Sequence, residues 1–428
     1  MSITTWDGLG KSVERLRYRW SARLFLSELL AKPWIEPAIP FAVMIGLMVF
    51  FSTQLPNYAG IGNLQSLLRL FSEEGFVAVA MAFVVISGGI DLSVGAIFAV
   101  ANFVALALLN IFELPVGLVA LGTLAVGAVT GAANGALVGY LKTRPFLTTL
   151  VTLIVMRAGF NLLSEEYSTQ FATSAVESKS WDFLGGGFIL GIPTNMAALI
   201  VVLLVGHLFL SRSRPGWHIT AVGSSRKAAR HAGIRVNFVL FCTYVLSGVL
   251  AAAGGLFYAA RQNSASSDTG VGFEVHALTA VVLGGVSLAG GKGTVWRATI
   301  GAIIVFLLLN GFVRMGIEGN FTSAVLGVIL LAAVGIDVKW SKNRGKAIQK
   351  IYVNPTIVDY APAPSLKPGA ASPYAENDRL LNAEAIGLNQ VEGPEDVILD
   401  RQDRLYAGTR EGWIIRFSGP HFEHREVF

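Results

Sequence analysis

Residues 86–95, ISGGIDLSVG, set a carboxylate (Asp91) and a hydroxyl (Ser93) between two apolar runs, 75–85 and 96–109. A carboxylate at membrane depth is costly, and such groups generally face a bundle interior or a water-lined transport path. Asp91 also follows Gly88 and Gly89 and precedes Ser93 by two residues, a pattern equally suited to capping the next helix from a loop at the membrane surface. Both readings interrupt the helix, because paired glycines weaken it and permit unusual backbone angles. Broken backbone inside a bilayer survives only where protein or a cavity covers it, which points to a transporter or channel rather than an anchor. Asn134 and Thr148 are further polar residues in apolar surroundings. Asn134 reads either as an interhelical hydrogen-bond partner or as a pathway ligand. With Asp91 and Ser93 they form the candidate translocation-pathway or gate group.

Other chemistries find little support. His207, His218, His231 and His276 lack metal-ligand spacing, and Cys242 is the single cysteine. The run at 284–294, GGVSLAGGKGT, has the look of a phosphate loop but carries Val286 where a glycine belongs and Gly293 where Ser or Thr must bind magnesium. No catalytic residue and no resident cofactor is expected. ATP energy would come from a partner.

A partner's dock is offered by the basic connection at 211–237, which carries Arg212, Arg214, Arg226, Lys227, Arg230 and Arg235. Within it Ser224 or Ser225 can cap a short helix, Ala228 and Ala229 keep that helix slim, and Gly233 ends it. A short rigid helix, small on one side and charged on the other, suits a groove on a neighbour. A solvated basic connector fits the same residues.

The elements that position these groups follow from composition. The chain has 428 residues, 53% of them hydrophobic and only 14% charged, with 47 glycines and a net charge of +5. That is an all-α polytopic membrane protein with about ten transmembrane helices and broken or re-entrant segments. The expected spans are 37–55, 75 to the broken motif, 96–109, 116–140, 146–163, 193–210, 238–260, 275–288, 294–313 and 321–336. Gly127, Gly131 and Gly135, four apart, form a ridge that admits a closely packed neighbour. Residues 64–74 read as a polar-faced lead-in, 164–192 as a stretch too polar to cross, and Arg157 as a snorkelling cation. Most Lys and Arg fall on one side if both termini are cytoplasmic, with Arg69, Arg157, Lys179, Arg261 and Arg314 on or toward the other. Nucleic acid is discounted as a partner.

Five motifs carry a resemblance: ISGGIDLSVGA, Gly131 to Gly135 (GAANG), Arg144 to Leu150 (RPFLTTL), Ala221 to Ile234, and Val282 to Thr294. Over 37–340 the chain resembles the permease family of bacterial ribose, xylose and related monosaccharide ABC importers. The resemblance implies an inner-membrane permease that pairs with a second permease copy, a cytoplasmic ATPase carrying ATP and magnesium, and a periplasmic sugar-binding protein. It further implies that Gly223, Arg226, Lys227, Ala228, Ala229, Gly233 and Ile234 belong to the loop coupling ATPase closure to the pore. Ser224-Ser225-Arg226 departs from the Gly-Asn-type turn of relatives and leaves the capping argument intact.

The organisation expected is a cytoplasmic segment at 1–36, the permease at 37–340, a basic and Pro-rich linker at 341–378 and a β-rich fragment at 379–428. Three strand-like runs in that fragment, with Glu392-Gly393-Pro394, resemble the opening blade of gluconolactonase or strictosidine-synthase-like propellers. There Glu392 would be a calcium ligand, lacking its other ligands here. The competing readings are a membrane-anchored lactonase-like enzyme, an ABC permease for an amino acid or nucleoside, and an ion-driven secondary transporter, the last disfavoured by few intramembrane carboxylates.

Overall fold

The computed structural model describes residues 35–173, 178–317, 319, 321–335, 364–378 and 380–428. Residues 1–34 of the expected cytoplasmic segment and residues 341–363 of the basic and Pro-rich linker expected at 341–378 lie outside the described residues. Contacts divide the chain into two compact units, 1–353 and 354–428.

In the first unit the helices are α1 (Ile35–Gln54), α2 (Ile61–Ile86), α3 (Val94–Asn110), α4 (Val116–Gly139), α5 (Pro145–Thr173) and α6 (Lys179–Gly186). After a minimal antiparallel pair, β1 (Phe188–Ile189) and β2 (Ile192–Pro193), come α7 (Thr194–Arg212), α8 (Arg214–Ser224), α9 (Arg226–His231), α10 (Val236–Gln262), α11 (Phe273–Leu283) and α12 (Val295–Arg314). An apolar helix α13, Phe321–Gly335, follows. Among the described residues five helices, α4, α5, α7, α10 and α12, are long and apolar enough to cross a membrane; α3, α11, α13 and residues Ala38–Gln54 of α1 are shorter apolar helices. At 1.5 Å per residue α11 is about 16 Å long, roughly half a hydrocarbon core.

α2 is the central element. Every residue from Gly75 to Ile86 is buried, while α4, α5 and α7 leave Leu121, Val129, Val151, Ile154, Val155 and Val205 exposed on an apolar outer surface. The glycine ridge of α4 meets α10. A methyl group added at Gly127, Gly131 or Gly135 would lie 2.4, 2.3 and 2.7 Å from the Gly248, Tyr244 and Phe241 carbonyl oxygens, and Gly139 extends the seam to Asn237. The two backbones therefore approach as only small residues allow.

Four expectations change. Residues 64–74 are no lead-in but the first half of one unbroken α2, because buried Glu73 is neutralised there by Arg261. α5 runs to Thr173 instead of stopping near 163, and α11 ends at Leu283 rather than 288. Arg157 does not simply snorkel: its guanidinium donates to the Thr269 carbonyl oxygen at 2.6 Å. The polar stretch after α5 folds as α6 and the β1–β2 hairpin. Gly185 of α6 packs on the Ala260 carbonyl, and Gln65 and Arg69 of α2 donate to Gly191 and Gly186.

The second unit is an antiparallel four-stranded sheet in the order β3 (Val397–Leu399), β4 (Leu405–Gly408), β5 (Ile414–Ser418) and β6 (His424–Val427). Ala407, Ile415 and Phe417 are its buried residues.

Candidate translocation and coupling site

Between α2 and α3 the chain leaves helical form, with Gly88 at φ +80°, and descends into the bundle. Asp91 is fully buried there, within the protein rather than on its surface. Its Oδ1 accepts the Ser93 N–H at 3.1 Å and the Ser93 hydroxyl at 2.5 Å, and its Oδ2 accepts the Ser247 hydroxyl of α10 at 2.8 Å. Ser93 in turn accepts from Asn134 Nδ2 at 2.9 Å, and Asn134 Oδ1 accepts the Thr152 hydroxyl at 2.6 Å. One chain of hydrogen bonds thus runs from α10 through the helix break to α4 and α5. A buried carboxylate is tolerable when its lone pairs are filled in this way.

Thr148 stays outside this chain, bonded locally to Thr143 and the Arg144 carbonyl. Its neighbour Thr149 accepts the Leu92 N–H at 3.1 Å and lies 3.2 Å from the Ile90 carbonyl oxygen, while the Tyr244 hydroxyl donates to that carbonyl at 3.4 Å. Ser247, Thr149, Thr152 and Tyr244 are therefore the partners that the sequence reading missed. These groups fasten the break from several sides, and both carboxylate oxygens of Asp91 are engaged by protein hydrogen bonds.

The basic connection folds as two capped helices. Ser213 accepts the Gly216 N–H to start α8, Ser225 accepts the Ala228 N–H to start α9, and Gly233 at φ +80° ends the second. Ala229 is buried, with Val222, Val236 and Leu240 in its core cluster, whereas Arg226, Lys227, Ala228 and Arg230 are exposed. Gly223 makes the closest approach in the region. A methyl group there would stand 1.9 Å from the Ile86 carbonyl oxygen and 2.6 Å from the Gly291 nitrogen. Gly291 itself donates its N–H to Ile86 at 2.9 Å, and a methyl group at Gly290, φ +81°, would meet Gly88 Cα at 2.8 Å. Arg226 donates to the Gly88 carbonyl at 3.2 Å. The end of α8 is in direct backbone contact with both helix breaks, the one after α2 and the one after α11.

Farther along α2 lies a second polar group. Arg261 holds Glu73 through two hydrogen bonds, 2.6 and 2.9 Å, and Glu74 Oε2 lies 3.8 Å from His276 Nδ1. Glu74, Phe273 and His276 line a cavity of about 10 Å³, room for a single water. In the second unit Glu392 is exposed, and among the described residues no three His, Cys, Asp or Glu side chains group to hold a metal. The calcium site implied by the resemblance does not fit the residues present.

A bundle of apolar helices with two glycine-broken segments, both touching a capped basic helical pair, defines a polytopic membrane permease. The chain belongs to the family described as branched-chain amino acid transport system / permease component, whose model matches residues 63–334. It is 34% identical over 308 residues to the ribose import permease protein RbsC of Escherichia coli strain K12, covering 72% of this chain and 95% of that one. It is 33% identical to the fructose import permease protein FruF of Bifidobacterium longum (72% and 88% covered), and 32% to the galactose/methyl galactoside import permease protein MglC of Salmonella typhimurium (73% and 97%). Residues 372–417 match a strictosidine synthase-like N-terminal model. No solved structure matches the chain. The protein is an ABC importer permease, an integral inner-membrane protein and not an enzyme.

Proposed function

We propose that this permease carries a monosaccharide inward, as a pair of identical copies served by a cytoplasmic ATPase and a periplasmic sugar-binding protein. The relatives named for ribose, fructose and galactose import support the cargo class. α1 to α5, α7, α10, α11 together with the non-helical segment that follows it, α12 and α13 supply ten crossings, with both termini cytoplasmic by the bias of Lys and Arg. Permease, linker and sheet fragment follow the division at 37–340, 341–378 and 379–428.

The observation that carries the mechanism is the contact of Gly223 with both helix breaks. α9 takes the ATPase through Arg226, Lys227 and Ala228. Its motion passes through α8 and Gly223 to the carbonyl of Ile86 and to Gly290 and Gly291. Because these contacts are backbone to backbone, no flexible side chain absorbs the displacement. The latch of Asp91, Ser93, Ser247, Asn134 and Thr152 then holds the break in register while it moves, so these residues position the gate rather than contact the sugar.

Ala228→Trp tests the dock. The bulky ring stands on the exposed face of α9, so the variant should fold and reach the membrane while ATP-dependent uptake falls by about tenfold or more, a loss of about 1.4 kcal/mol of coupling. Uptake at the parent rate would remove the docking assignment. The family's description favours a second cargo, a branched-chain amino acid. Competition of labelled ribose uptake by unlabelled ribose but not by leucine separates the two.

A further inference from the structure

The α4–α5 turn and the α9–α10 junction flank an open cleft of about 410 Å³ lined by Tyr140, Lys142, Arg230, Arg235, Asn237 and Phe238 together with Ile234 and Val236. Its volume falls in the range of small-ligand sites. Three cations face it, and none of the lining residues is acidic. The sequence explains this imbalance: no Asp or Glu occurs in 114–164 or in 183–267, the segments that contribute every lining residue. Among the described residues none of Lys142, Arg230 and Arg235 has a carboxylate partner within salt-bridge distance. Lys142 is held at φ +57°, a backbone conformation that side chains rarely adopt, and Arg235 lies over the Phe238 ring at 5.8 Å. Beside the cations Tyr140, Leu141 and Phe238 are exposed, each by half or more.

We propose that this cleft binds the headgroup of an anionic phospholipid. The three cations surround the phosphate, and the polar edge of Asn237 and Tyr140 faces the rest of the headgroup. The cleft stands at the ends of two apolar, membrane-crossing helices, where aromatic residues mark the level of headgroups and basic pockets between helices select anionic lipid. A soluble acidic partner would need no such apolar rim; an acyl chain does. Bound there, the lipid joins the α4–α5 turn to Arg230 of α9 and Arg235 at the start of α10, and so braces the element that carries the dock. The site rests on the spans alone and not on the identity of the cargo.

The test uses the full chain, purified and examined by native mass spectrometry with added dioleoyl phosphatidylglycerol or dioleoyl phosphatidylcholine. Phosphatidylglycerol should be retained with about tenfold or greater preference. Lys142→Gln with Arg230→Gln and Arg235→Gln should abolish that preference, whereas Arg212→Gln with Arg214→Gln, basic residues outside the cleft, should keep it. The charge-preserving set Lys142→Arg, Arg230→Lys and Arg235→Lys should also keep it, which separates loss of the site from loss of the fold. Equal retention of the two lipids by the parent, or undiminished preference in the neutral triple variant, overturns the proposal. Displacement of the lipid by millimolar inorganic phosphate, or by the ATPase subunit, would assign the cleft to a free anion or to protein and overturn it likewise.

Discussion

Both carboxylate oxygens of Asp91 accept hydrogen bonds inside a sealed bundle, so the residue's worth is set by what its removal would strand. Asp91→Ala leaves the Ser247 hydroxyl and the Ser93 N–H without their acceptor in a buried site, at about 1–3 kcal/mol for each group left unpaired. Asp91→Asn keeps one oxygen to accept from Ser93 and turns an amide toward Ser247, whose hydroxyl can accept instead. Thermal unfolding in detergent should therefore rank the parent above Asn and Asn well above Ala; an alanine variant as stable as the parent would refute the latch. The polar triad of Asp91, Ser93 and Asn134 was legible in the sequence because each residue interrupts an apolar run. Its partners were not. Thr243 of α10 merely bonds back to the Val239 carbonyl one turn earlier, while Ser247, one turn on, reaches Asp91 in the break between α2 and α3, and nothing local distinguishes the two. Thr148 and Thr149 differ by one position, about 100° of helix rotation, and only the second faces the break.

Helix breaks were easier to find than helix starts. The glycine pair at 88–89 announces the first interruption, since a positive φ is available to glycine without strain, whereas α11 stops at the earlier pair, 284–285, and not at 290–291. The beginning of α2 was hidden because Glu73 and Glu74 read as solvent-facing, and the residue that neutralises Glu73 is Arg261, nearly two hundred positions away. Likewise the ridge on α4 was visible while its partner, α10, was not, because a row of small residues says that a helix comes close without saying which. The junction where α8 meets both breaks gives the sharpest test at this scale. Gly223→Ala forces a methyl group to 1.9 Å from the Ile86 carbonyl oxygen, backbone that cannot swing aside, whereas Gly46→Ala meets nothing within 4 Å. The first should lose about 1–3 kcal/mol of stability together with most ATP-dependent uptake. Gly46→Ala, in the middle of α1, should be neutral or gain up to about 1 kcal/mol. Equal uptake by the two variants would mean that the contact transmits nothing.

Across the whole chain the two units were legible to different depths. The sheet's first three strands follow runs of alternating or branched residues between turns, but β6, with the sequence His424-Arg425-Glu426-Val427, has no apolar pattern and is fixed only by its pairing with β5. The membrane unit reads more fully because charge records topology. The structure gathers Lys142, Arg230 and Arg235 round one cleft and sets Arg226 against the break after α2, so the basic connections of α4–α5 and α7–α10 lie at the same end. Lys179 and Asp182 of α6 belong instead to the segment packed on the last turns of α10, at the other end of that helix. Positive residues retained on the cytoplasmic side would place the α8–α9 pair inside and α6 outside. Replacing the single native cysteine, Cys242→Ala, gives a clean background for testing this, because that thiol is exposed on α10. In it, Lys179→Cys should react with a membrane-impermeant maleimide applied to intact cells, and Ser225→Cys should react only in inside-out vesicles. The reverse pattern would put the dock on the wrong side for an ATPase and invert every crossing. Labelling of both from one side would instead require an odd number of spans between residues 179 and 225 to be wrong, since α7 alone separates them.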